Sequence, residues 1–372
     1  MSEYKLVIPC LMGVEGLVGN ELRDMGAQNV EPQNGRVLFD GSGEMIARAN
    51  LWSRYGERVL IQLAEFRALS FEELFQGVKA IPWERWIGKK EAFPVKGRSL
   101  SSKLASVPDC QSIVKKAVVE RLKAKYKQSW FEETGSLHQI QFLILKDRVS
   151  ILLDTSGAGL HKRGYRANST EAPIKETLAA AMVHLSRVRR DANFIDPFCG
   201  SGTILIEAAL YAMGMAPGLQ RRFAAERWEG ADAALWRRER QRAQDLVDRS
   251  VKFQGRGYDI DGQAVELAAE NARKAGVGSR IRTEKRDISL FCPEEEFGCV
   301  VCNPPYGERL LDLKAAEELY RTMGKVFQRK HGWNYTIISP DETFEERFGR
   351  RADRRRKLYN GMMKCQLYMY FK

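Results

Sequence analysis

FIDPFCGSGT (194–203) is the stretch that decides the fold. A short apolar run ends in Asp196, and a turn holding Gly200 and Gly202 leads into the apolar, helix-forming ILIEAALYAM (204–213). Strand, glycine turn and helix in that order make the first step of a doubly wound sheet. Such sheets bind ligands beyond the carboxyl ends of their strands, where the strand order reverses. Glycines there let the backbone approach a ligand without a Cβ clash, and the helix start presents free N–H groups. The turn lacks both the GxGxxG spacing and the Lys-Ser/Thr of a phosphate loop, which argues against a nucleoside triphosphate.

Working outward, the same alternation continues. ANFID (192–196) reads as a strand followed by a helix over 203–213; GRGYDID (255–261) is a strand followed by a helix over 264–275. Strands over 280–285 and 299–303, a helix over 313–328 and a strand over 334–339 follow. A short helix then precedes strands at 357–359 and 364–371, joined at Asn360–Gly361 as a hairpin that adds an antiparallel edge strand. On the upstream side, EAPIKETLAAAMVHL (171–185) reads as a helix with Pro173 in its first turn. One segment, 214–253, interrupts the order where a short loop is usual. Its charged part, 221–256, holds ten Arg or Lys and six Asp or Glu, and fits either a solvated helix or else a lid or an insertion that contacts nucleic acid.

The strand ends carry the chemistry. Asp259 is placed to accept the two hydroxyls of a ribose; Asp261 is the alternative, or the cap of the next helix. Asp287 in RDI (286–288) can accept from an adenine amino group while Ile288 packs on the ring, or can cap its own loop. CVVCNPPYGERL (299–310) ends its strand at Asn303. An exocyclic amine on a base is a poor nucleophile, because its lone pair is delocalised into the ring. The Asn303 side-chain oxygen and the Pro304 carbonyl are suited to accept its two N–H groups and to stabilise charge developing on nitrogen. Pro304 and Pro305 stiffen the loop, and Tyr306 offers a face for the base. Cys299 and Cys302 form a CxxC with Cys292 nearby, but without a second ligand pair they read as a buried strand, and no metal is expected.

The first 155 residues hold none of these motifs. Strands at 5–10, 36–40 and 58–66 alternate with helices at 15–25 and 44–55, the order of a small α+β unit, ferredoxin-like. A second unit follows: a helix at 71–78, an extended piece at 92–95, a long helix at 108–126, and a hairpin turning around 147–148. MSEYKLVIPC (1–10) reads as a first strand rather than a signal peptide. Seven cysteines without repeated spacing argue against a disulfide framework and for a reducing, cytoplasmic setting. The net charge of +12 suits a polyanionic partner. RFGRRADRRRK, with seven Arg or Lys and one Asp in 347–357, reads as a phosphate-contact segment or as a solvated face. His138, His161, His184 and His331 form no evident cluster.

Taken together, LFQGVKAIPWERW, FPVKGRSLSSKLASVPDCQSIVKKAV, HKRGYR, EAPIKETLAAA, DPFCGSGTILIEAA, MAPGLQRRFAAERW, YDID and NPPYGERL make the chain resemble, along its whole length, the THUMP-domain RNA methyltransferases. Within these it is similar to the bacterial RlmL-type 23S rRNA guanine-N2 methyltransferases. The resemblance implies an α/β class I (Rossmann-like) methyltransferase with a seven-stranded sheet and an antiparallel terminal hairpin over 160–372, insertion 214–253 included. It implies a ferredoxin-like subdomain over 1–65 and a THUMP RNA-binding domain over 66–155 ahead of it. The cofactor is then S-adenosyl-L-methionine, contacted by Thr177, Asp196, Phe198, Cys199, Gly200, Gly202, Thr203, Asp259, Ile260, Asp287, Ile288 and Asn303. The catalytic loop is Asn303, Pro304, Pro305 and Tyr306, and the partner is RNA, foremost rRNA, with no membrane. The best-known family member carries a second methyltransferase domain behind this one, so only the guanine-N2 activity is expected here. Two other readings stand: an adenine-N6 methyltransferase on RNA or DNA, and a non-catalytic RNA-binding factor of ribosome assembly.

Overall fold

The computed structural model describes residues 3–166, 174–306 and 313–371. Two seven-stranded sheets organise the chain. The first is built from β1 (Tyr4–Pro9), α1 (Glu15–Asp24), β2 (Gln28–Gln33), β3 (Arg36–Gly41), α2 (Gly43–Trp52), β4 (Leu60–Arg67), α3 (Phe71–Lys79), β5 (Val95–Leu100), α4 (Val107–Tyr126), β6 (Ile140–Leu145) and β7 (Arg148–Asp154). Its order is β2-β3-β1-β4-β7-β6-β5. The two small units expected from the sequence therefore share one sheet, joined where β4 pairs with β7 from Leu60↔Asp154 to Arg67↔Arg148. The sequence reading omitted β2. QNVEPQ is mostly exposed and carries Pro32, as suits an edge strand with no apolar alternation to betray it. The hairpin turns at Lys146–Asp147, both with positive φ (50° and 63°), one residue earlier than expected. The extended piece falls at β5 rather than at 92–95, where Ala92 makes only an isolated bridge to Leu137.

The second sheet follows α5 (Glu176–Leu185). Its elements are β8 (Asn193–Asp196), α6 (Thr203–Ala212), α7 (Ala233–Asp245), β9 (Gln254–Asp259), α8 (Gly262–Lys274), β10 (Ile281–Lys285), β11 (Gly298–Cys302), α9 (Leu313–Val326), β12 (Trp333–Ser339), α10 (Phe344–Phe348), β13 (Arg354–Asn360) and β14 (Met363–Tyr370). The order β10-β9-β8-β11-β12-β14-β13 reverses between β8 and β11, and the first five strands are parallel. β11 is buried at every residue, as a strand covered on both faces must be. The terminal hairpin differs from expectation in one respect. The antiparallel strand β14 lies inside the sheet, next to β12, and β13 forms the edge. Burial explains the choice: β14 buries Leu367, Tyr368, Met369 and Tyr370, whereas RRRKLYN is a strand for solvent. The helix expected over 171–185 starts at Glu176, since Lys175 is extended; Pro173 lies outside the described residues.

The inserted segment carries a helix, α7, that is buried on one face and exposed on the other. α7 packs on α2 of the first sheet, with Trp236 buried and Glu239 paired to Arg48 at 3.0 Å. Gly218 N–H donates to Leu51 O, Ala225 N–H to Thr155 O, and the Trp228 indole to Leu137 O. The insertion braces the two sheets together. Among the described residues no helix is long and apolar enough to cross a membrane, and no group of three His, Cys, Asp or Glu could hold a metal. Cys299 and Cys302 sit buried on β11, three residues apart and so on opposite faces.

Candidate cofactor and substrate site

At the carboxyl ends of β8, β9, β10 and β11 a cavity of about 670 Å³ opens, within the usual span for small-molecule pockets. The β8 end supplies Asp196, Phe198, Cys199, Gly200 and Thr203; the β9 end Asp259 and Ile260; the β10 end Asp287 and Ile288; the β11 end Asn303, Pro304, Pro305 and Tyr306. Thr177 and Gly202, also expected at the cofactor, are not in the wall. Thr177 is buried and donates to Glu57 Oε1, in the loop between α2 and β4 of the first sheet, at 2.8 Å. Gly202 has φ +82°, and a Cβ there would stand 3.0 Å from Ala268 Cβ, so its small size serves the packing of α6 on α8.

The acidic residues at the strand ends hold their own loops. Asp196 is buried and accepts from Phe198 N–H at 3.1 Å. Burial pushes its carboxyl up to about 8, and the negative Asp259 adds to the effect. Asp259 accepts Gly200 N–H through Oδ2 (2.9 Å) and Asp261 N–H through Oδ1 (3.0 Å), tying the β8 turn to the β9 turn. A carboxylate oxygen has room for a second donor, so ribose hydroxyls remain acceptable there. Asp261 caps α8 through Gln263 N–H. Asp287 caps the turn after β10 through Ser289 N–H and its hydroxyl, and these bonds lower its pKa. Beside it stand the apolar Ile260, 67% exposed, and the buried Ile288, two surfaces fit for a flat ring.

At the β11 end the situation differs. The Asn303 Oδ1 is shielded from solvent and has no hydrogen-bond donor among the described residues. Leaving a buried acceptor unpaired costs about 1–3 kcal/mol, so a fold keeps one where something else supplies the donor. Tyr306 is half-buried, and its hydroxyl accepts from Asn360 Nδ2 at 2.9 Å. Residues 307–310 of the same motif lie outside the described residues.

Sequence reasoning missed one wall. α9 presents Ala315, Glu318, Leu319 and Thr322 to the cavity, a stripe at spacings of three and four. The helix was legible, and this spacing was the available signal, but nothing marked the face as lining a site. Arg166, from HKRGYR, was also missed; it bonds Thr203 Oγ1 and Ile174 O at 3.1 Å each and pairs with Glu176. Of the C-terminal cations, Arg347 and Arg355 pair with Glu317 and Glu345, Arg350 lies 4.5 Å over the Tyr370 ring, and Arg356 donates to Gly13 O. Arg351, Arg354 and Lys357 stay exposed, which narrows the expected phosphate-contact segment to part of its length.

Comparison with known proteins agrees with this architecture. Residues 163–369 match the RMKL-like methyltransferase domain, residues 5–60 the RlmL ferredoxin-like domain and residues 68–154 the THUMP domain. The chain is 45% identical to a Bacillus subtilis protein named as an RNA methyltransferase, YpsC, covering all of this chain and 97% of that protein. It is 35% identical to the ribosomal RNA large subunit methyltransferase K/L of Psychromonas ingrahamii, of which it spans about half (49%) while 98% of this chain aligns. Among solved structures it matches a Listeria monocytogenes protein named a predicted N6-adenine-specific DNA methylase (46% identity, TM-score 0.94, 100% and 96% of the two chains). SMU.472, named as a methyltransferase and solved with SAH, matches at 43% identity and TM-score 0.94 over 100% and 98%. The carboxylate at the β9 end, the apolar pair Ile260 and Ile288, and the cavity's size fit S-adenosylmethionine, the cofactor of this enzyme class. The chain belongs to the RMKL-like methyltransferases, in the group that carries an RlmL ferredoxin-like domain and a THUMP domain ahead of the methyltransferase sheet.

Proposed function

We propose that the protein methylates the exocyclic N2 of a guanine in RNA, with large-subunit rRNA as the first substrate to test. Residues 1–65, 66–155 and 160–372 then serve as ferredoxin-like, THUMP and methyltransferase domains, the first two gripping RNA. The observation that carries the reading is the buried Asn303 Oδ1 in the cavity wall, without a donor among the described residues. S-adenosylmethionine supplies an electrophilic methyl group on a sulfonium. Thr203 and Asp196 line its methionine side, Asp259 accepts from its ribose, and Asp287 with Ile260 and Ile288 takes its adenine. Asn303 Oδ1 accepts one N–H of the target amine and the Pro304 carbonyl the other, which turns the lone pair towards the methyl donor. Both acceptors are fixed before the reaction, so they stabilise positive charge on nitrogen without reorganising. Tyr306 stacks on the base, worth roughly 1–3 kcal/mol. The methylated nitrogen is acidic and loses its proton to these acceptors or to water.

Glu318 supports guanine over adenine. Asp196, Asp259, Asp261 and Asp287 each hold a backbone N–H, whereas the largely exposed Glu318 is bonded among the described residues to Arg321, at 3.5 Å. A carboxylate accepts well from the N1–H of guanine and is repelled by the bare N1 of adenine. The name of the Listeria neighbour favours adenine N6 as a second reading. The names of the Bacillus and Psychromonas relatives support RNA. The test is Asn303→Ala: methyl transfer to RNA should vanish while S-adenosylmethionine affinity by titration calorimetry stays within about fivefold, a change of roughly 1 kcal/mol. Unchanged turnover would remove Asn303 from the chemistry.

A further inference from the structure

We infer that Asn360, at the end of β13, is a positioning residue that sets the ring of Tyr306 across the substrate entrance. The inference rests on the reading above that Tyr306 stacks on the target base. β13 runs antiparallel to β14, which runs antiparallel to β12. The carboxyl end of β13 therefore lies at the same end of the sheet as the cavity. Asn360 is its last residue, followed by Gly361 (φ +66°) and Met362, which is 99% exposed. From there Asn360 Nδ2 donates to Tyr306 Oη at 2.9 Å.

The distance spanned gives this bond its meaning. β12 and β14 lie between β11 and β13. At about 4.8 Å per strand, β11 and β13 are roughly 14 Å apart. Tyr306 follows β11 by four residues, so its chain and ring must reach over the ends of two strands to meet Asn360. The bond ties the hydroxyl end of the ring to β13 and narrows the rotamers open to it at the rim. Fixed at both ends, the ring keeps one face in the cavity wall. The donor is itself held in place: β13 is paired along its length with β14, and Arg356 donates to Gly13 O of the first sheet at 2.8 Å. The tip thus carries the position of the edge hairpin, and of the first sheet behind it, to the base-facing ring.

The experiment is a double-mutant cycle with Asn360→Ala, Tyr306→Phe and the pair, scored by kcat/KM for RNA methylation and by cofactor affinity. Tyr306→Phe keeps the ring and loses the hydroxyl. Each single change should lower kcat/KM by roughly five- to tenfold, the scale of one neutral hydrogen bond. The double change should lower it no further, with cofactor affinity unaltered in all three proteins. Additive losses, or Tyr306→Phe behaving as wild type, overturn the inference, and this arm stands even if Asn360→Ala folds poorly. Tyr306→Ala separates the two claims. If it too is fully active, the stacking reading fails together with the inference. If it is inactive while Asn360→Ala and Tyr306→Phe are normal, only the inference fails.

Discussion

Asp196 ends β8 beneath the cavity floor with its carboxyl pushed up to about 8, chiefly by burial. Free aspartate titrates near 3.9. The folded chain thus holds a proton that the unfolded chain releases above that pH. The resulting stability is full below pH ~4 and is lost as pH rises through about 8. Asp196→Asn keeps an acceptor for Phe198 N–H and cannot ionise. Its melting temperature relative to wild type, both without added cofactor, should therefore be more favourable at pH 8 than at pH 5; an equal difference at both pH values contradicts a protonated Asp196. The positions of Asp196, Asp259, Asp287 and Asn303 were legible because an acid or amide at the end of a strand sits at the sheet's rim. Thr177 was not legible, because its partner Glu57 lies 120 residues away and only the tertiary fold brings them together. The Asn360–Tyr306 bond was hidden for the same reason.

At the scale of elements, apolar periodicity located the parallel strands and their helices, but it gives no information where burial does not pattern the sequence. β2 faces solvent, so no apolar pattern marks it, and the packing of α7 on α2 is invisible in a helix whose other face is charged and solvated. The helix α5 starts later than composition suggests: Ile174 lies ahead of it and lines the cavity, and Lys175 is extended. The turn before α6 shows how two elements constrain one residue. Gly202 needs positive φ, and its missing Cβ leaves room for Ala268. Gly202→Ala should destabilise the protein by about 1–2 kcal/mol from the left-handed backbone alone, more if α8 has to shift. Urea unfolding measures this, and an unchanged midpoint would contradict the packing role.

Across the whole molecule, the two sheets meet through buried polar groups rather than a flexible linker. Arg163 is fully enclosed: it pairs with Glu207 of α6 at 3.3 Å and donates to Ser53 O, Arg54 O and Leu160 O, while Tyr165 hydroxyl also donates to Glu207. Glu57 takes Thr177 on α5 and His161, and α7 closes on α2. Removing one member of a buried pair such as Arg163–Glu207 leaves the other charge unpaired, so this junction resists opening. On the proposed function, an RNA gripped by the first sheet would lie at a set distance from the cavity. The resemblance in sequence already implied this order of domains, but not that HKRGYR and the insertion are the fasteners. The central claim is settled most directly by identifying the product. RNA from cells lacking the protein is incubated with it and isotopically labelled S-adenosylmethionine, digested to nucleosides and read by mass spectrometry. Label is expected in N2-methylguanosine, and none when Asn303 is alanine; label in N6-methyladenosine, or an active Asn303→Ala protein, would contradict guanine-N2 methylation at this site.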